Sequence, residues 1–259
     1  MDDLRAVMAR GRPVVNGWLS VDSIYLAEVL SLSGFDCITV DVQHGMFDLS
    51  AAIRLLQGVG LGTAVPMART TRLEASVIGK LLDAGAQAII CPTLDTAAEA
   101  AEFVSMCRYP PEGVRSFGPA RANLRADPEY LAHARPMTWA MIESAPAMDN
   151  LDAIVAVDGL DALYVGPNDL ALALGAAPGT VEPPPVVIEA MQRIVAAAHG
   201  AGLYVGSFCS TGAVARQMVE LGFDLVTPGN DTSILRTAAG REIALARGEA
   251  HPSTNVAGY

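Results

Sequence analysis

Lysine is nearly absent from this chain of 259 residues, in which Lys80 is the only one. Lys80 falls in the middle of a predicted helix, residues 73–84, and not at the end of a strand. Enzymes that form a Schiff base need a lysine amine that reaches the substrate. The sequence therefore argues strongly against a mechanism that depends on a lysine.

Positive charge in general is scarce. Lys and Arg together number 17 against 28 Asp and Glu, which gives a formal net charge of −11. Nucleic acids and anionic membrane surfaces attract basic proteins, so neither is an expected partner. A small anionic substrate stays compatible with this composition, because a bound cation and one or two arginines can set the local charge.

Long apolar runs are also missing. No run reaches the roughly 18 residues that a membrane span needs, and the first residues lack the basic and then apolar order of a signal peptide. The four cysteines form no C-x-x-C pair, and three of them fall in strand-like runs. We therefore expect buried, reduced thiols in a cytoplasmic protein that does not contact membranes.

Nucleotide-binding motifs are absent as well. The sequence has no Walker A motif, and its only glycine-rich candidate, GVGLG at residues 58–62, has the wrong spacing for a dinucleotide fingerprint. This segment follows a predicted helix and precedes a strand, so we interpret it as a turn.

What the chain does contain is a regular alternation of strands and helices. Eight strands are predicted at residues 13–19, 37–40, 62–68, 88–91, 139–142, 162–165, 203–207 and 224–227. Helices are predicted at residues 23–33, 49–59, 73–84, 96–108, 146–155, 170–174, 185–201, 211–221 and 232–247, and a long loop at 109–136. Eight such units favour an α/β fold, a (β/α)8 TIM barrel with parallel strands, over an open doubly wound sheet. We expect a single domain, residues 1–259, with a loose tail at 250–259.

Reactive side chains stand at the ends of several predicted strands. Asp41 and His44 follow the second strand, Arg69 ends the third, Glu143 ends the fifth and Asp169 follows the sixth. Catalytic groups of such barrels lie at the carboxyl ends of the strands, so these five should meet on one rim. Two hard carboxylates there suggest a divalent metal, although each acid could instead cap the helix after it. A metal that polarises a carbonyl, with a histidine that takes the proton, would activate a carbon acid.

Five segments together resemble one known family, the HpcH/HpaI aldolases. They are VDVQHG at residues 40–45, LLDAG at 81–85, RYPPEGVR at 108–115, MIE at 141–143 and VGPNDL at 165–170, and the resemblance spans about residues 17–247. It implies a (β/α)8 barrel assembled as a homo-oligomer, a hexamer of paired subunits. The implied activity is that of a class II aldolase, similar to 4-hydroxy-2-oxoheptanedioate and 2-dehydro-3-deoxyglucarate aldolases. Such an enzyme reversibly cleaves a 4-hydroxy-2-oxo acid to pyruvate and an aldehyde through a metal-bound enolate.

The resemblance also implies how metal and keto acid bind. Glu143 and Asp169 would bind Mg²⁺, Mn²⁺ or Co²⁺, and water molecules would complete the coordination. Pyruvate would chelate the metal with help from backbone amides near Asn168 and Asp169. Arg69 would stabilise the enolate and the developing alkoxide as a fixed positive charge.

Three further roles follow from the same resemblance. His44 would be the acid/base, Asp83 would orient it, and Asp41 would lie near the aldehyde and influence stereochemistry. Asp83, however, ends a predicted helix on the face away from the strand ends. Either that helix is bent or a neighbouring subunit supplies the residue.

Two departures from the family pattern bear on substrate choice. Gln43 stands where the family often has an acid, which removes a charge near His44. Met141 stands where the family often has a glutamine, which removes a hydrogen-bond donor to pyruvate.

Alternatives remain open at this point. A relative could use the same chemistry on hydroxypyruvate or an acyl-CoA thioester, or could be a decarboxylase. A basic groove would mark a CoA enzyme, and none is evident. A non-catalytic barrel that binds a keto acid should have lost His44, Arg69, Glu143 or Asp169, and all four are present. In the long loop, Arg115 or Arg121 either lies in a subunit contact or meets the distal end of the acceptor aldehyde.

Overall fold

A computed structural model describes residues 3–124, 126–179 and 181–249 of the chain. Eight strands form a closed barrel in the order β1 to β8, and every neighbouring pair, including β1 with β8, is parallel. The strands are β1 (Val14–Leu19), β2 (Cys37–Asp41), β3 (Val65–Arg69), β4 (Ala88–Cys91), β5 (Met137–Ile142), β6 (Ala162–Val165), β7 (Tyr204–Cys209) and β8 (Leu225–Pro228). The predicted (β/α)8 barrel is confirmed, while the predicted tail at 250–259 lies outside the described residues.

Helices alternate with these strands and surround the barrel. They are α1 (Leu4–Met8), α2 (Ile24–Ser31), α3 (Leu49–Val59), α4 (Ala75–Asp83), α5 (Ala97–Met106), α6 (Tyr130–His133), α7 (Ala145–Asp149), α8 (Leu151–Val155), α9 (Pro167–Ala173), α10 (Pro185–Gly200), α11 (Gly212–Glu220) and α12 (Asp231–Arg247). Within the described ranges, none of them combines the length and the apolarity that crossing a membrane demands.

Alternate strand residues form two hydrophobic layers. Side chains such as Trp139 and Tyr164 fill the barrel interior, whereas their neighbours Ala140 and Val165 pack outward against the helices. Most strands are buried along their whole length because helices cover the outer face and side chains fill the inner one. The short helix α1 adds apolar residues to the interior layer and so closes one end of the barrel.

Polar caps determine where several helices begin. The side chains of Ser23, Asp48, Thr96, Ser144 and Thr211 each accept a hydrogen bond from a backbone N–H in the first turn of the helix that follows. Such caps satisfy donors that have no partner within the helix. They place each helix start directly after a strand and its loop, which keeps the connections short.

The structure differs from the predicted elements in a few places. The predicted helix at residues 146–155 is split into α7 and α8 at Asn150, whose side-chain amide donates to the carbonyl of Asp95 at 2.8 Å. The third strand begins at Val65, because the N–H of Ala64 donates to Ser31 Oγ at 3.1 Å and not to a neighbouring strand. Helix α1 was not predicted.

A charged network ties the elements at the amino ends of β5 and β6. Asp161 accepts from Arg5 Nη1 at 2.6 Å, from Arg108 Nη2 at 3.3 Å and from the N–H of Thr138 at 2.8 Å. Arg108 is buried and also donates to the carbonyl of Pro136 at 2.8 Å. This one carboxylate therefore links α1, β5 and the segment after α5.

We expect Asp161→Ala to lower the free energy of unfolding by about 3 kcal/mol, because it leaves the buried guanidinium of Arg108 without its counter-ion. Denaturant unfolding monitored by circular dichroism measures the loss. Asp22→Ala is the matched control, since Asp22 pairs with Arg54 at 3.5 Å with both side chains nearly half exposed. That change should cost less than about 0.5 kcal/mol. Equal losses in the two variants would contradict the assignment.

Candidate active site

The structure brings the five predicted strand-end residues to the carboxyl rim of the barrel. Asp41 and Arg69 are the last residues of β2 and β3 and are paired in register. His44 lies in the turn after β2, Glu143 directly follows β5, and Asp169 is in the first turn of α9 after β6. Because all strands are parallel, these positions share one end of the barrel.

A cavity of about 380 Å³ opens at this rim. Its lining includes four of the predicted residues, namely His44, Arg69, Asn168 and Asp169. The rest of the wall is Trp18, Met141, Tyr164, Gly166, Pro167 and Phe208. The lining thus combines polar and charged groups with aromatic and apolar ones.

Arg69 is held by a two-point ion pair with Asp41. Its Nε donates to Asp41 Oδ1 at 2.7 Å and its Nη2 donates to Asp41 Oδ2 at 2.6 Å. Arg69 is 4% exposed and Asp41 is fully buried, so little water screens the pair. Asp41 is not among the residues that line the cavity, and its expected place near the aldehyde stays a prediction.

The turn that carries His44 is fixed by the same carboxylate. Asp41 Oδ1 accepts from the backbone N–H of Gln43 at 3.1 Å and of His44 at 3.4 Å. The N–H of Gly45 donates to the carbonyl of Asp41 at 3.1 Å, and a side chain at position 45 would collide with that carbonyl. His44 is therefore an exposed side chain on a tightly hydrogen-bonded turn.

Aromatic rings form the wall beside Arg69. The guanidinium of Arg69 lies over the Trp18 ring at 4.8 Å, and Trp18 stacks on Tyr164 with ring centroids 5.7 Å apart. The hydroxyl of Tyr164 lies 2.8 Å from Thr227 Oγ1, and Phe208 meets Trp18 edge-on. Sequence reasoning missed Trp18 and Tyr164 as site residues. Their signal is positional, since each is the penultimate residue of its strand and points inward.

Glu143 is a buried carboxylate with a defined orientation. It is 5% exposed, and its Oε1 accepts from the N–H of Thr93 at 2.9 Å. Thr93 has φ 52°, a conformation that β-branched residues rarely adopt. Burial raises the pKa of Glu143, the Thr93 N–H opposes this rise, and the charge of Asp169 adds to it.

The glycine at position 166 gives this carboxylate its space. A Cβ atom there would lie 2.6 Å from Glu143 Oε2 and 2.7 Å from Met141 Cε. Any side chain at this position would therefore push Glu143 away from its place at the rim. Sequence reasoning identified the motif that contains Gly166 but not this steric role.

The two carboxylates suit a divalent cation. Glu143 is buried, and the negative charge of Asp169 raises its pKa further. A bound cation would offset this repulsion between the two carboxylates. Within the described residues, no group of three or more His, Cys, Asp or Glu side chains could hold a metal. Two carboxylates are a sufficient protein contribution for Mg²⁺, which commonly keeps several water ligands.

Asp83 is not near His44 within this subunit. Helix α4 is regular, ends at Asp83 and leads to the start of β4, so Asp83 lies at the amino end of the barrel. Its Oδ1 accepts from Arg115 Nη2 at 2.8 Å, and Arg121 donates to the carbonyl of Ala84 at 2.9 Å. A bent helix is therefore ruled out as the way to reach His44, and neither arginine meets the acceptor end of the cavity in the same subunit.

The cysteines offer no nucleophile. All four are unbridged and buried, as predicted. Burial raises the pKa of Cys107 and of Cys209 to about 12, so neither thiol is ionised at neutral pH.

A parallel barrel with two carboxylates, a buried arginine and a histidine on its carboxyl rim has the architecture of a barrel enzyme, whose catalytic groups lie at that end. The model of the HpcH/HpaI aldolase/citrate lyase family matches residues 16–238, and the chain belongs to this family. It is therefore an enzyme of the carbon–carbon lyase class.

Proteins of named activity are similar to this one along almost its whole length. A hydroxypyruvate/pyruvate aldolase of Rhizorhabdus wittichii is 41% identical over 249 residues, which are 95% of this chain and 99% of that protein. A 4-hydroxy-2-oxovalerate aldolase of Rhodococcus jostii is 36% identical over 91% of this chain and 92% of its own. The crystal structure of an HpcH/HpaI aldolase/citrate lyase family protein from Burkholderia cenocepacia has a TM-score of 0.87 at 32% identity and covers 95% of this chain and all of that one.

We expect Gly166→Ala to weaken binding of Mn²⁺ by about tenfold or more, as displaced metal ligands commonly do. The added methyl group would take the place of Glu143 Oε2. Isothermal titration of the metal-free protein measures the affinity. Gly212→Ala is the control, because this glycine also lies at a helix start and has nothing within 4 Å of an added Cβ. Unchanged Mn²⁺ affinity in Gly166→Ala would exclude Glu143 as a ligand.

Proposed function

We propose that the protein is a class II pyruvate aldolase that cleaves a 4-hydroxy-2-oxo acid to pyruvate and an aldehyde and also catalyses the reverse addition. The observation that carries the proposal is the arrangement around one cavity of Arg69, His44 and Asp169, with Glu143 beside them. Membership of the aldolase family supports it, as do relatives named for pyruvate, hydroxypyruvate and 4-hydroxy-2-oxovalerate.

Glu143 and Asp169 would hold a divalent ion, Mg²⁺, Mn²⁺ or Co²⁺. When bound, such an ion polarises the keto carbonyl of the substrate and thereby acidifies the adjacent carbon. Glu143 keeps its orientation through the Thr93 N–H and has the space that Gly166 leaves. Asp169 approaches the same place from the first turn of α9.

The keto acid would bind beside these carboxylates at the start of α9. The N–H groups of Asn168 and Asp169 lie in the first turn, where a helix leaves backbone donors without internal partners. The side chain of Asn168 is engaged elsewhere, since its Oδ1 accepts from the N–H of Gly179 at 2.9 Å. We therefore assign substrate binding to the backbone at position 168, while its side chain anchors the loop that follows α9.

Arg69 would stabilise the negative charge that develops on the keto oxygen. Its guanidinium cannot reorient freely, because Asp41 holds one edge and the Trp18 ring lies against its face. A fixed charge in a poorly hydrated place needs no reorganisation during reaction, and this makes it effective in the transition state.

His44 would be the acid/base. It stands at the wall of the cavity and is exposed enough to exchange protons with water. In cleavage it would take the proton of the 4-hydroxyl group, and in pyruvate exchange it would move a proton at the methyl carbon. Because Asp83 of its own subunit lies on the opposite face, we propose that Asp83 of the partner subunit orients His44.

Hydroxypyruvate has specific support as a second substrate in the place of pyruvate. The relative at 41% identity is named for hydroxypyruvate as well as pyruvate. Hydroxypyruvate has the same carboxylate and keto oxygens, so the same residues would bind it. An acyl-CoA donor is less suited, because Arg69 is the only arginine among the described residues that line the cavity.

We expect the enzyme to exchange the methyl protons of pyruvate for deuterium when Mg²⁺ is present, because removal of a methyl proton needs no aldehyde. Proton NMR of pyruvate in D₂O measures the rate. A chelator, Glu143→Ala and Asp169→Ala should each reduce exchange to background by removing the metal. His44→Ala should retain Mn²⁺ binding and slow exchange by about a hundredfold.

Each control separates one part of this proposal. Asp48→Ala removes an exposed carboxylate that only caps α3, and its exchange rate should match that of the unchanged enzyme. Full exchange in the presence of chelator would overturn the role of the metal. Unchanged exchange in His44→Ala would remove His44 as the base. Exchange of hydroxypyruvate but not pyruvate would identify the second donor as the true one.

We also propose that the enzyme is a homo-oligomer, with the hexamer of its family as the expected form. Of the seventeen residues of α12, only Asp231, Ser233 and Ala244 are buried, whereas Leu235 and Leu245 are more than 60% exposed. Exposed apolar side chains that gather on one surface mark a site where another chain can pack. A second copy of the chain would cover it and would also bring Asp83 to another subunit.

Light scattering coupled to size exclusion measures this state. We expect the unchanged protein to elute as a multimer and Leu235→Glu with Leu245→Glu to dissociate it, because charges would replace the apolar contact. Arg241→Glu is the control on the same helix, since its side chain is exposed and polar. A monomeric unchanged protein would contradict the assembly.

The cysteines favour a reducing compartment. All four thiols are buried and none is bridged. Disulfides persist mainly in oxidising compartments, so we infer a cytoplasmic enzyme.

A further inference from the structure

One carboxylate connects the parts of the site that act on the keto acid. Asp41 accepts two hydrogen bonds from Arg69, one from Trp18 Nε1 at 3.2 Å, and two from the turn that carries His44. Both of its oxygens are used, and the residue is fully buried. No other carboxylate described at this rim joins the arginine and the histidine.

We propose that Asp41 is a positioning residue for the proton-transfer step at pyruvate, acting through Arg69 and His44 before any aldehyde is present. This inference rests on the proposed function. It differs from the role that the family resemblance implied, in which Asp41 lies near the aldehyde and influences stereochemistry.

The contacts of Arg69 show how the positioning would work. Asp41 and Arg69 are neighbours in register at the ends of β2 and β3, and the N–H of Val42 donates to the carbonyl of Arg69 at 2.9 Å. The ion pair uses Nε and Nη2, which form one edge of the guanidinium plane. This pairing fixes the orientation of the guanidinium plane. The Trp18 ring packs against the face of the guanidinium and limits its movement in that direction.

The contacts of the His44 turn show the second half of the role. Asp41 Oδ1 lies within hydrogen-bond distance of two successive N–H groups, those of Gln43 and His44. A carboxylate that accepts from the chain two and three residues ahead holds a turn in shape. The same oxygen accepts a hydrogen bond from Arg69 Nε. One atom therefore positions both the turn that carries His44 and the guanidinium of Arg69.

Direct contact between Asp41 and an aldehyde is not supported by its surroundings. The residue has no exposed surface and is not among those that line the cavity. Arg69 and Trp18 do line it, and both lie between Asp41 and the cavity as its hydrogen-bond donors. An aldehyde would therefore meet the donors of Asp41 and not Asp41 itself.

The decisive comparison is between exchange without aldehyde and the full addition reaction. We expect Asp41→Asn to slow deuterium exchange into pyruvate and aldol addition by the same factor, about a hundredfold or more, as loss of a preorganised charge typically does. The amide would replace one acceptor by a donor and break the two-point pair with Arg69. Both rates are measured at saturating Mg²⁺ and pyruvate.

Asp161→Asn is the matched control. Asp161 also pairs with a buried arginine, Arg108, but at the amino end of the barrel. This variant should lose thermal stability as Asp41→Asn does, yet its exchange rate should stay within about threefold of the unchanged enzyme, since its pair is remote from the site. A merely structural role for Asp41 would give the two variants similar rates.

A milder variant serves if Asp41→Asn fails to fold. Trp18→Phe keeps a ring beside Arg69 but removes the Nε1–H donor to Asp41. We expect equal, smaller decreases in exchange and addition, of about three- to tenfold, because one of the five hydrogen bonds described for Asp41 is lost. Asp41→Asn combined with Arg69→Ala should be no slower than Arg69→Ala alone if Asp41 acts mainly through Arg69.

The outcomes are distinct. Normal exchange in Asp41→Asn, together with slow or stereochemically altered addition, would overturn the inference and place Asp41 at the aldehyde. The same pattern in Trp18→Phe would do so as well. Absence of exchange in the unchanged enzyme would instead overturn the proposed function, and with it the step that Asp41 is inferred to support.

Discussion

The cost of taking charge out of water is the constraint that shapes this site. Arg69 and Glu143 are each at most 5% exposed, and Asp41 has no exposed surface. A buried charge is tolerated only if partners replace the lost water. Arg69 has such a partner in Asp41, whereas Glu143 has one backbone donor, the favourable charge of Arg69 and a repelling neighbour, Asp169. Burial still raises the pKa of Glu143, and a divalent cation would offset this cost.

The same chemistry serves a different purpose at the other end of the barrel. Arg108 and Asp161 form a largely buried pair there, but their remaining hydrogen bonds go to strand and loop backbone and to the side chains of Arg5 and Thr138. Barrels of this type generally separate stability at the amino face from catalysis at the carboxyl face. Arg69 and Asp41 lie at the carboxyl face and fit the catalytic side of that division. Beyond their ion pair, Arg69 lines a cavity and Asp41 bonds the turn of the exposed His44. The location of an Arg–Asp pair, and not its strength, indicates its role.

Much of this arrangement could be predicted from the sequence, for a physical reason. In a parallel barrel the end of every strand reaches one rim, so finding strand ends was enough to group Asp41, His44, Arg69, Glu143 and Asp169. Trp18 and Tyr164 were missed because aromatic residues in apolar runs look the same whether they fill a core or line a cavity. The Thr93 contact uses a backbone N–H and a left-handed conformation, which residue types do not reveal. Asp83 could be placed on the wrong face for its own subunit, but its contact with Arg115 depends on the fold of a long loop.

The positions of the lining residues along their strands explain why the rim of the cavity differs from the wall below it. Asp41, Arg69 and Glu143 lie at or just beyond the ends of β2, β3 and β5, whereas Trp18, Met141, Tyr164 and Phe208 are penultimate residues of their strands. The charged groups thus stand slightly higher at the rim, and the apolar ones line the wall below them. A keto acid has its oxygens at one end and carbon at the other, so we infer that this division orients it. Its carboxylate and keto oxygens would lie at the charged rim, because the aromatic residues below offer them no charge to pair with.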